Sequence, residues 1–371
     1  MHGVVEWNSS NLVSNLVTWQ DQRGTSTGKL SQIQKLKGCN NLKDGFGFTT
    51  LSILASENKL SEFEFCGTIH DYLVWILVGM PSKSFIDTTD AASWGLFNIE
   101  TNRWNSESVH LLEIPESILP TIYNCGSKAG LLSQDMASKT GIPSGIPVMV
   151  AIGDNQASII GTSTKPSADE CFINIGTSTQ LSVVASREKA LSLSPSPTFE
   201  IRPFIDDTFL IVTAPLCGGR AWAFLKDVVK EWMHSLGMPE ISDDIILYSK
   251  IDSLALNEID SNDLPKIEPH FLGERWDETL RASFTNINLN NFTLGKVGAA
   301  MALGIVSNLK SNISEECFKD CKSIFVNGNA ARKNKAMHRA IEKTFGISPS
   351  FKEGVEEAAL GAAILAARLV E

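Results

Sequence analysis

No apolar run in this chain is long enough to cross a bilayer. The longest, 72–80 and 358–367, fall well short of the ~20 residues a spanning helix needs. No secretory leader is visible, since Met1-His2-Gly3-Val4-Val5-Glu6 has neither a basic start nor an apolar stretch behind it. Cysteines are few and odd in number: seven, scattered along the chain. Cys317 and Cys321 fall four apart, but no second Cys or His pair stands near to complete a zinc site, so all seven read as reduced thiols. The expected location is the cytoplasm, where the Asn-x-Ser/Thr triplets at Asn8, Asn291 and Asn312 carry no glycan. Positive charge is in deficit. With 32 Lys and Arg against 42 Asp and Glu, the net charge of −10 argues against broad binding to nucleic acid or to an anionic membrane surface. Neither Gly-x-x-x-x-Gly-Lys-Ser/Thr nor Gly-x-Gly-x-x-Gly occurs, which excludes a P-loop NTPase and the dinucleotide fingerprint. There is no tandem repeat and no low-complexity tract.

What remains is an ordinary folded composition, 43% hydrophobic and 20% charged over 371 residues, enough for two domains with their own cores. Strand and helix patterns alternate, so the fold class is α/β. Residues 68–79 predict a helix with Ile69, Tyr72, Leu73, Ile76 and Leu77 on one side, stopped at Gly79-Met80-Pro81. Residues 147–152 form a continuous apolar run of strand length, the pattern of a strand covered on both faces. Gly153-Asp154 ends it and a helix follows. Two strands, 171–175 and 181–185, are joined through Gly176-Thr177-Ser178 as a hairpin. A strand at 209–212 leads to Gly218-Gly219 and a helix carrying Leu225, Val228, Val229, Trp232 and Leu236. Residues 239–266 read as an acidic loop region. A helix at 295–309, a strand at 324–326, a Gly/Asn turn, a helix from about 332 and an Ala-rich helix from Val355 complete the chain. The expected domains are 1–161 and 162–371.

Several places have residues suited to chemistry. Asp154 sits where a strand ends and a helix begins, the position from which α/β proteins project side chains into a cleft. It reads either as a catalytic carboxylate or as a helix N-cap. Gly176-Thr177-Ser178 offers backbone N–H groups and hydroxyls to an anion, or is a plain hairpin. The turns at Gly218-Gly219 and 327–331 repeat the plan of strand, small-residue loop and helix start, which suits a planar or anionic ligand. Asp21 and Arg23, beside Trp19, either hold hydroxyls of a polar ligand or pair with each other.

The order of these motifs carries more than any one of them. Gly145-Ile146-Pro147, Gly153-Asp154-Asn155-Gln156-Ala157, Asn174-Ile175-Gly176-Thr177-Ser178-Thr179-Gln180, Gly218-Gly219 and the loop at 326–331 together resemble the FGGY carbohydrate kinases along essentially the whole chain. The resemblance implies an actin/hexokinase-type ATPase fold of two RNase H-like domains, with ATP and Mg²⁺ as cofactors and a sugar as acceptor. Val17-Thr18-Trp19-Gln20-Asp21, Gly67-Thr68-Ile69-His70-Asp71-Tyr72, Ala91 to Asn98, Leu272-Gly273-Glu274-Arg275 and the segment 294–308 are most similar to members that convert sedoheptulose to its 7-phosphate for the pentose phosphate pathway. Xylulose is the alternative sugar. The resemblance makes Asp154 the catalytic base and places His2, Asp21, Arg23 and Asn155 on the sugar. It places Gly176, Thr177, Gly219, Gly328, Asn329 and Asn334 on the nucleotide; no residue is assigned to metal. These kinases begin with a strand–turn–strand carrying an Asp-x-Gly-Thr hairpin, and this chain has none. The expectation is therefore a first domain that is incomplete. Either a complete enzyme is truncated here, or the chain binds sugar and nucleotide without catalysis.

Overall fold

The computed structural model describes residues 3–239, 241, 243–351 and 357–368, and every side chain among them except that of Asn329. Two compact units emerge. The first comprises Met1–Lys165, Arg202–Thr208 and Val355–Glu371; the second comprises Pro166–Ile201 and Phe209–Gly354. In place of the single cut at 161/162 read from the sequence, the chain returns twice to the first unit. No described helix is long and apolar enough to cross a membrane.

In the first unit, β1 (Val5–Trp7) pairs antiparallel with β2 (Phe65–Gly67), and β3 (Phe85–Asp87) pairs parallel with β4 (Thr121–Tyr123). The third ladder joins β5 (Lys128–Leu131) antiparallel to β6 (Pro147–Met149). These three ladders, and a short fourth one between Phe97–Asn98 and Arg103–Trp104, are separate two-stranded sheets. Strand β6 is accordingly shorter than the run 147–152 and not covered on both faces. It has one neighbour, Pro147 is exposed, and burial begins only at Val150.

Among the described residues seven α-helices precede the turn at 153, and four of them bear on the site. Helix α1 is a single turn, Arg23–Ser26. Helix α2 (Gly47–Ser56) lays Phe48 and Leu51 into an aromatic core in which Trp94 and Trp104 stack 5.9 Å apart, with Phe48 edge-on to both. Helix α3 (Ile69–Leu77) opens with a capping box: Thr68 Oγ1 accepts from the Asp71 N–H while Asp71 accepts from the Thr68 N–H. Its fully buried residues are Asp71, Val74 and Trp75; of the face predicted from Ile69, Tyr72, Leu73, Ile76 and Leu77, Tyr72 and Ile76 pack partly buried against the core, but Leu73 is 54% exposed. The helix is apolar nearly all round, and Trp75 wins the interior by packing 5.7 Å from Trp7 and 5.4 Å from Phe65. Helix α4 (Thr88–Ala92) follows β3, and α5 (Asp154–Thr162) follows β6.

The second unit is built on a six-stranded sheet. Strands β7 (Glu170–Ile175) and β8 (Thr179–Ser186) form the expected hairpin, with Ile175 opposite Thr179. With β9 (Glu200–Pro203), β10 (Thr208–Thr213), β11 (Ser323–Asn327) and β12 (Pro349–Ser350), the order is β9-β10-β8-β7-β11-β12. Strand β11 runs parallel to β7, from Ser323 opposite Glu170 to Asn327 opposite Asn174. Helix α6 (Gly219–Ser235) buries Ala221, Trp222 and Leu225 but leaves Trp232 55% exposed; Leu236, predicted on the same face, is 76% exposed. The stretch expected to be loop contains a helix, α7 (Asp244–Glu258), which buries Leu247, Ile251 and Ala255. Its Asp252 accepts from the Lys335 and Ala336 N–H groups at 3.1 and 2.8 Å. Helices α8 (Leu294–Ser311), α9 (Asn329–Arg332) and α10 (Lys335–Phe345) also belong to this unit, with a short helix at Arg187–Ser192 and a ladder of Lys266–Glu268 with Ser283–Thr285.

The chain then returns to the first unit as α11 (Glu357–Arg368), packed against α5. Only glycine permits that crossing. A Cβ on Gly361 would lie 1.8 Å from the Ala157 carbonyl oxygen, and one on Gly161 would lie 2.0 Å from that of Glu357.

Candidate active site

Asp154 is the first residue of α5, and the N-cap position belongs to Gly153, which makes no side-chain cap. The cap reading of Asp154 is thereby set aside. Its side chain is exposed, and its Oδ1 accepts from the Asn155 N–H at 2.8 Å. A carboxylate in the first turn of a helix is favoured in its ionised form by the N–H groups there. Such a group can accept a proton from a ligand hydroxyl.

The backbone beneath Asp154 is pinned by residues that sequence reasoning did not assign. The Gly153 N–H donates to Thr89 Oγ1 at 2.8 Å, and that hydroxyl in turn donates to the Asp87 carboxylate at 2.8 Å. Asp87 also accepts from the Asp90 N–H, capping α4. His70 Nδ1 lies 3.4 Å from Asp90 Oδ2. Asp71, Asp87 and Asp90 are all buried to within 2%. Burial, aggravated by the charge of Asp90, pushes the Asp87 carboxyl up to about 8 and that of Asp71 well above the usual range. These carboxylates are scaffold: they fix α3, α4 and the turn carrying Asp154. The signal was in the sequence as Thr68-x-x-Asp71 and Asp87-Thr88-Thr89-Asp90, each a capping pattern.

Among the residues expected on the sugar, Asp21 and Arg23 are held to each other. Arg23 Nε donates to Asp21 Oδ2 at 2.7 Å, and the Arg23 N–H donates to Asp21 Oδ1 at 3.2 Å. Their other faces remain partly accessible. Asn155 is half-buried beside Asp154. His2 lies outside the described residues, as does the side chain of Asn329.

In the second unit the glycine turns converge. The Gly219 N–H donates to the Gly176 carbonyl at 2.8 Å and the Arg220 N–H to the Thr177 carbonyl at 3.1 Å, stitching the start of α6 to the hairpin. A Cβ on Gly219 would stand 2.4 Å from Gly176 O and 2.9 Å from Ala330 Cβ. Gly328, at φ +93°, passes so close to β7 that a Cβ would meet Ile175 O at 2.4 Å. Three turns thus share one place, with Thr177 exposed at its edge. Asn334 is the N-cap of α10, its Oδ1 accepting from the Met337 N–H at 2.8 Å, while its buried Nδ2 has no partner among the described residues.

Comparison with known proteins decides what this arrangement belongs to. Residues 1–161 match the N-terminal domain of the FGGY family of carbohydrate kinases. The human protein named sedoheptulokinase is 32% identical over 390 aligned positions, covering 99% of this chain and 79% of that protein. The chain belongs to the FGGY family of carbohydrate kinases. The xylulose kinase of Rhodospirillum rubrum superposes with a TM-score of 0.85 at 17% identity, over 100% of this chain and 74% of that one. Plasmodium falciparum glycerol kinase, solved with ADP, gives 0.77 at 18% identity, over 100% and 73%. The fold of this FGGY kinase is the actin/hexokinase-like ATPase fold. At these turns Gly176, Gly219 and Gly328 are partly accessible and Asn334 Nδ2 is a buried donor, a lining that would accept a nucleotide. Among the described residues no cluster of three or more His, Cys, Asp or Glu could hold a metal. A magnesium ion carried on nucleotide phosphates needs only one or two carboxylates and water.

Proposed function

We propose that this FGGY kinase transfers the γ-phosphate of ATP to the terminal hydroxyl of a ketose, and that the ketose is sedoheptulose. The observation that carries the reading is the 32% identity to human sedoheptulokinase over 99% of the chain. The xylulose and gluconate kinases matched by structure share only 17–21% and speak for the fold alone. Asp154 takes the proton of the attacking hydroxyl; its support is an exposed carboxylate on a turn held by Thr89. Asp21 and Arg23, pre-ordered by their ion pair, bind hydroxyls of the ketose with His2 and Asn155. Gly176, Thr177, Gly219, Gly328, Asn329 and Asn334 receive the nucleotide, and magnesium, when bound, neutralises phosphate charge as the bond shifts. Phosphoryl transfer asks little covalent chemistry of a protein, so positioning by these residues is the main contribution.

The test is calorimetry and a coupled ATP assay with sedoheptulose, xylulose and glycerol. Sedoheptulose is expected to bind at least about tenfold more tightly than xylulose, a difference of one well-placed hydrogen-bonded hydroxyl. Asp154→Asn should keep sugar and ADP binding while lowering kcat by roughly 10²–10⁴-fold. Tighter binding of xylulose would reassign the sugar. Binding of sugar and ADP with no turnover would make the protein a binder, and an unimpaired Asp154→Asn variant would move the base elsewhere.

A further inference from the structure

Cys171 and Cys321 are 150 positions apart in sequence, yet their Sγ atoms stand 2.8 Å from each other in the second unit. The approach is built into the backbone. Cys171 is the second residue of β7, and the strand paired with it, β11, begins two residues after Cys321. Between them, the Lys322 and Ser323 N–H groups both donate to the Asp169 carbonyl, at 2.8 and 3.2 Å. The Cys321 N–H donates to the Phe318 carbonyl at 3.0 Å. Both cysteines are thus held on either side by main-chain bonds. A disulfide needs roughly 2.0 Å between sulfurs, so closure asks for a side-chain movement of under about 1 Å and no unfolding.

The two thiols differ in the way a reacting and a resolving thiol must differ. Cys321 is partly accessible, and Cys171 is fully buried. The hydrogen bond the two share holds the Cys321 thiol below the usual cysteine range, whereas that same bond and burial push Cys171 far up. Cys321 is therefore the one that ionises, and the ionised form is the nucleophile. Cys317 lies close by, in a short turn, but burial raises its thiol, and its sulfur makes no such contact with Cys321 among the bonds of the described residues.

We propose that Cys321 is a peroxide-reactive thiol and that Cys171 resolves it to an intramolecular disulfide. The Cys321 thiolate attacks one peroxide oxygen, forming a sulfur–oxygen bond and breaking the oxygen–oxygen bond; hydroxide leaves and takes up the thiol's proton as water. Cys171 then attacks the Cys321 sulfur of the sulfenic acid and expels a second water. Two thiols and one hydrogen peroxide give one disulfide and two waters. The bond ties the beginnings of β7 and β11, five strand residues before the turns at Gly176 and Gly328. It should therefore stabilise the second unit while sparing Cys321 from irreversible over-oxidation.

The experiment treats the reduced, folded full chain with sub-millimolar hydrogen peroxide at neutral pH, followed by alkylation, intact mass and non-reducing peptide mapping. The expected result is a loss of about 2 Da and one linked peptide joining Cys171 to Cys321. The melting temperature should rise by several degrees, reversed by dithiothreitol, because the bond closes a long loop in the unfolded chain. Cys317→Ser should behave as the native chain. In Cys171→Ser a dimedone-reactive sulfenic acid should persist on Cys321, and Cys321→Ser should take up no oxidant at this pair. A Cys317–Cys321 link, a sulfenic acid persisting on Cys321 in the native chain, or a Cys171–Cys321 link that forms only in urea overturns the proposal. None of these readouts depends on sugar or nucleotide, so the kinase reading and this one fail separately.

Discussion

Thr89 does two things at once: its hydroxyl accepts the Gly153 N–H and donates to Asp87. Thr89→Val keeps the shape and removes both bonds, leaving a buried N–H and a buried carboxyl short of a partner. A cost of about 1–3 kcal/mol is expected, read as a lower urea midpoint. If Asp154 is the base, the loosened turn should also lower kcat by about tenfold with little change in KM. Asp87 itself gives a pH signature. An unfolded aspartate releases its proton near 4, whereas buried Asp87 does so only at about 8. The native state therefore binds the extra proton between those values. Stability from this group is complete below about pH 4 and is lost as pH rises toward 8, at up to about 1.4 kcal/mol per pH unit. Asp71 and Glu6, raised chiefly by burial, add slopes of the same sign. Urea unfolding at pH 5, 6, 7 and 8 should show a shallower decline in Asp87→Asn than in the native chain; equal slopes would mean that Asp87 is ionised throughout.

Helix α11 shows how packing reverses a local preference. In an isolated helix Gly361→Ala is stabilising by about 1 kcal/mol. Here the new methyl would stand 1.8 Å from the Ala157 carbonyl oxygen, so α5 and α11 must part. Overpacking of this kind costs roughly 1–3 kcal/mol. Thermal melts should show Gly361→Ala destabilised, with Leu360→Ala, at a position 45% exposed, nearly neutral. A stabilised Gly361→Ala would mean that the helices do not cross there. Helix α7 teaches the complementary lesson. Its Leu247, Ile251 and Ala255 recur every fourth residue, a readable signal, but exposed Ile245 and Ile246 and the acids around them blur the stripe. Asp252, which looks like a solvated charge, caps α10 from a distance of 84 positions.

On the scale of the whole chain, the last helix belongs with the first 165 residues although the second unit lies between them in sequence. Deleting 355–371 should therefore loosen the first unit selectively. Hydrogen exchange is expected to accelerate in α5, 154–162, while the β7–β8 hairpin keeps its protection. Uniform loss of protection in both units, or none in α5, would contradict this assignment.

What the sequence determined by itself was local or ordered along the chain. The β7–β8 hairpin followed from two strand-forming runs around Gly176-Thr177-Ser178, because a tight turn needs only its own residues. The family followed from the order of five short motifs, each ambiguous alone. The tertiary structure decided the rest. It turned the apolar run 147–152 into a short, half-covered strand, because coverage depends on neighbours that a run cannot specify. It chose Trp75 over Leu73 as the buried face of α3, because an all-round apolar helix leaves that choice to its partners. It also brought Cys171 to Cys321 and Thr89 to Gly153, since parallel pairing and cross-segment hydrogen bonds join residues whose separation in sequence holds no trace of their distance in space.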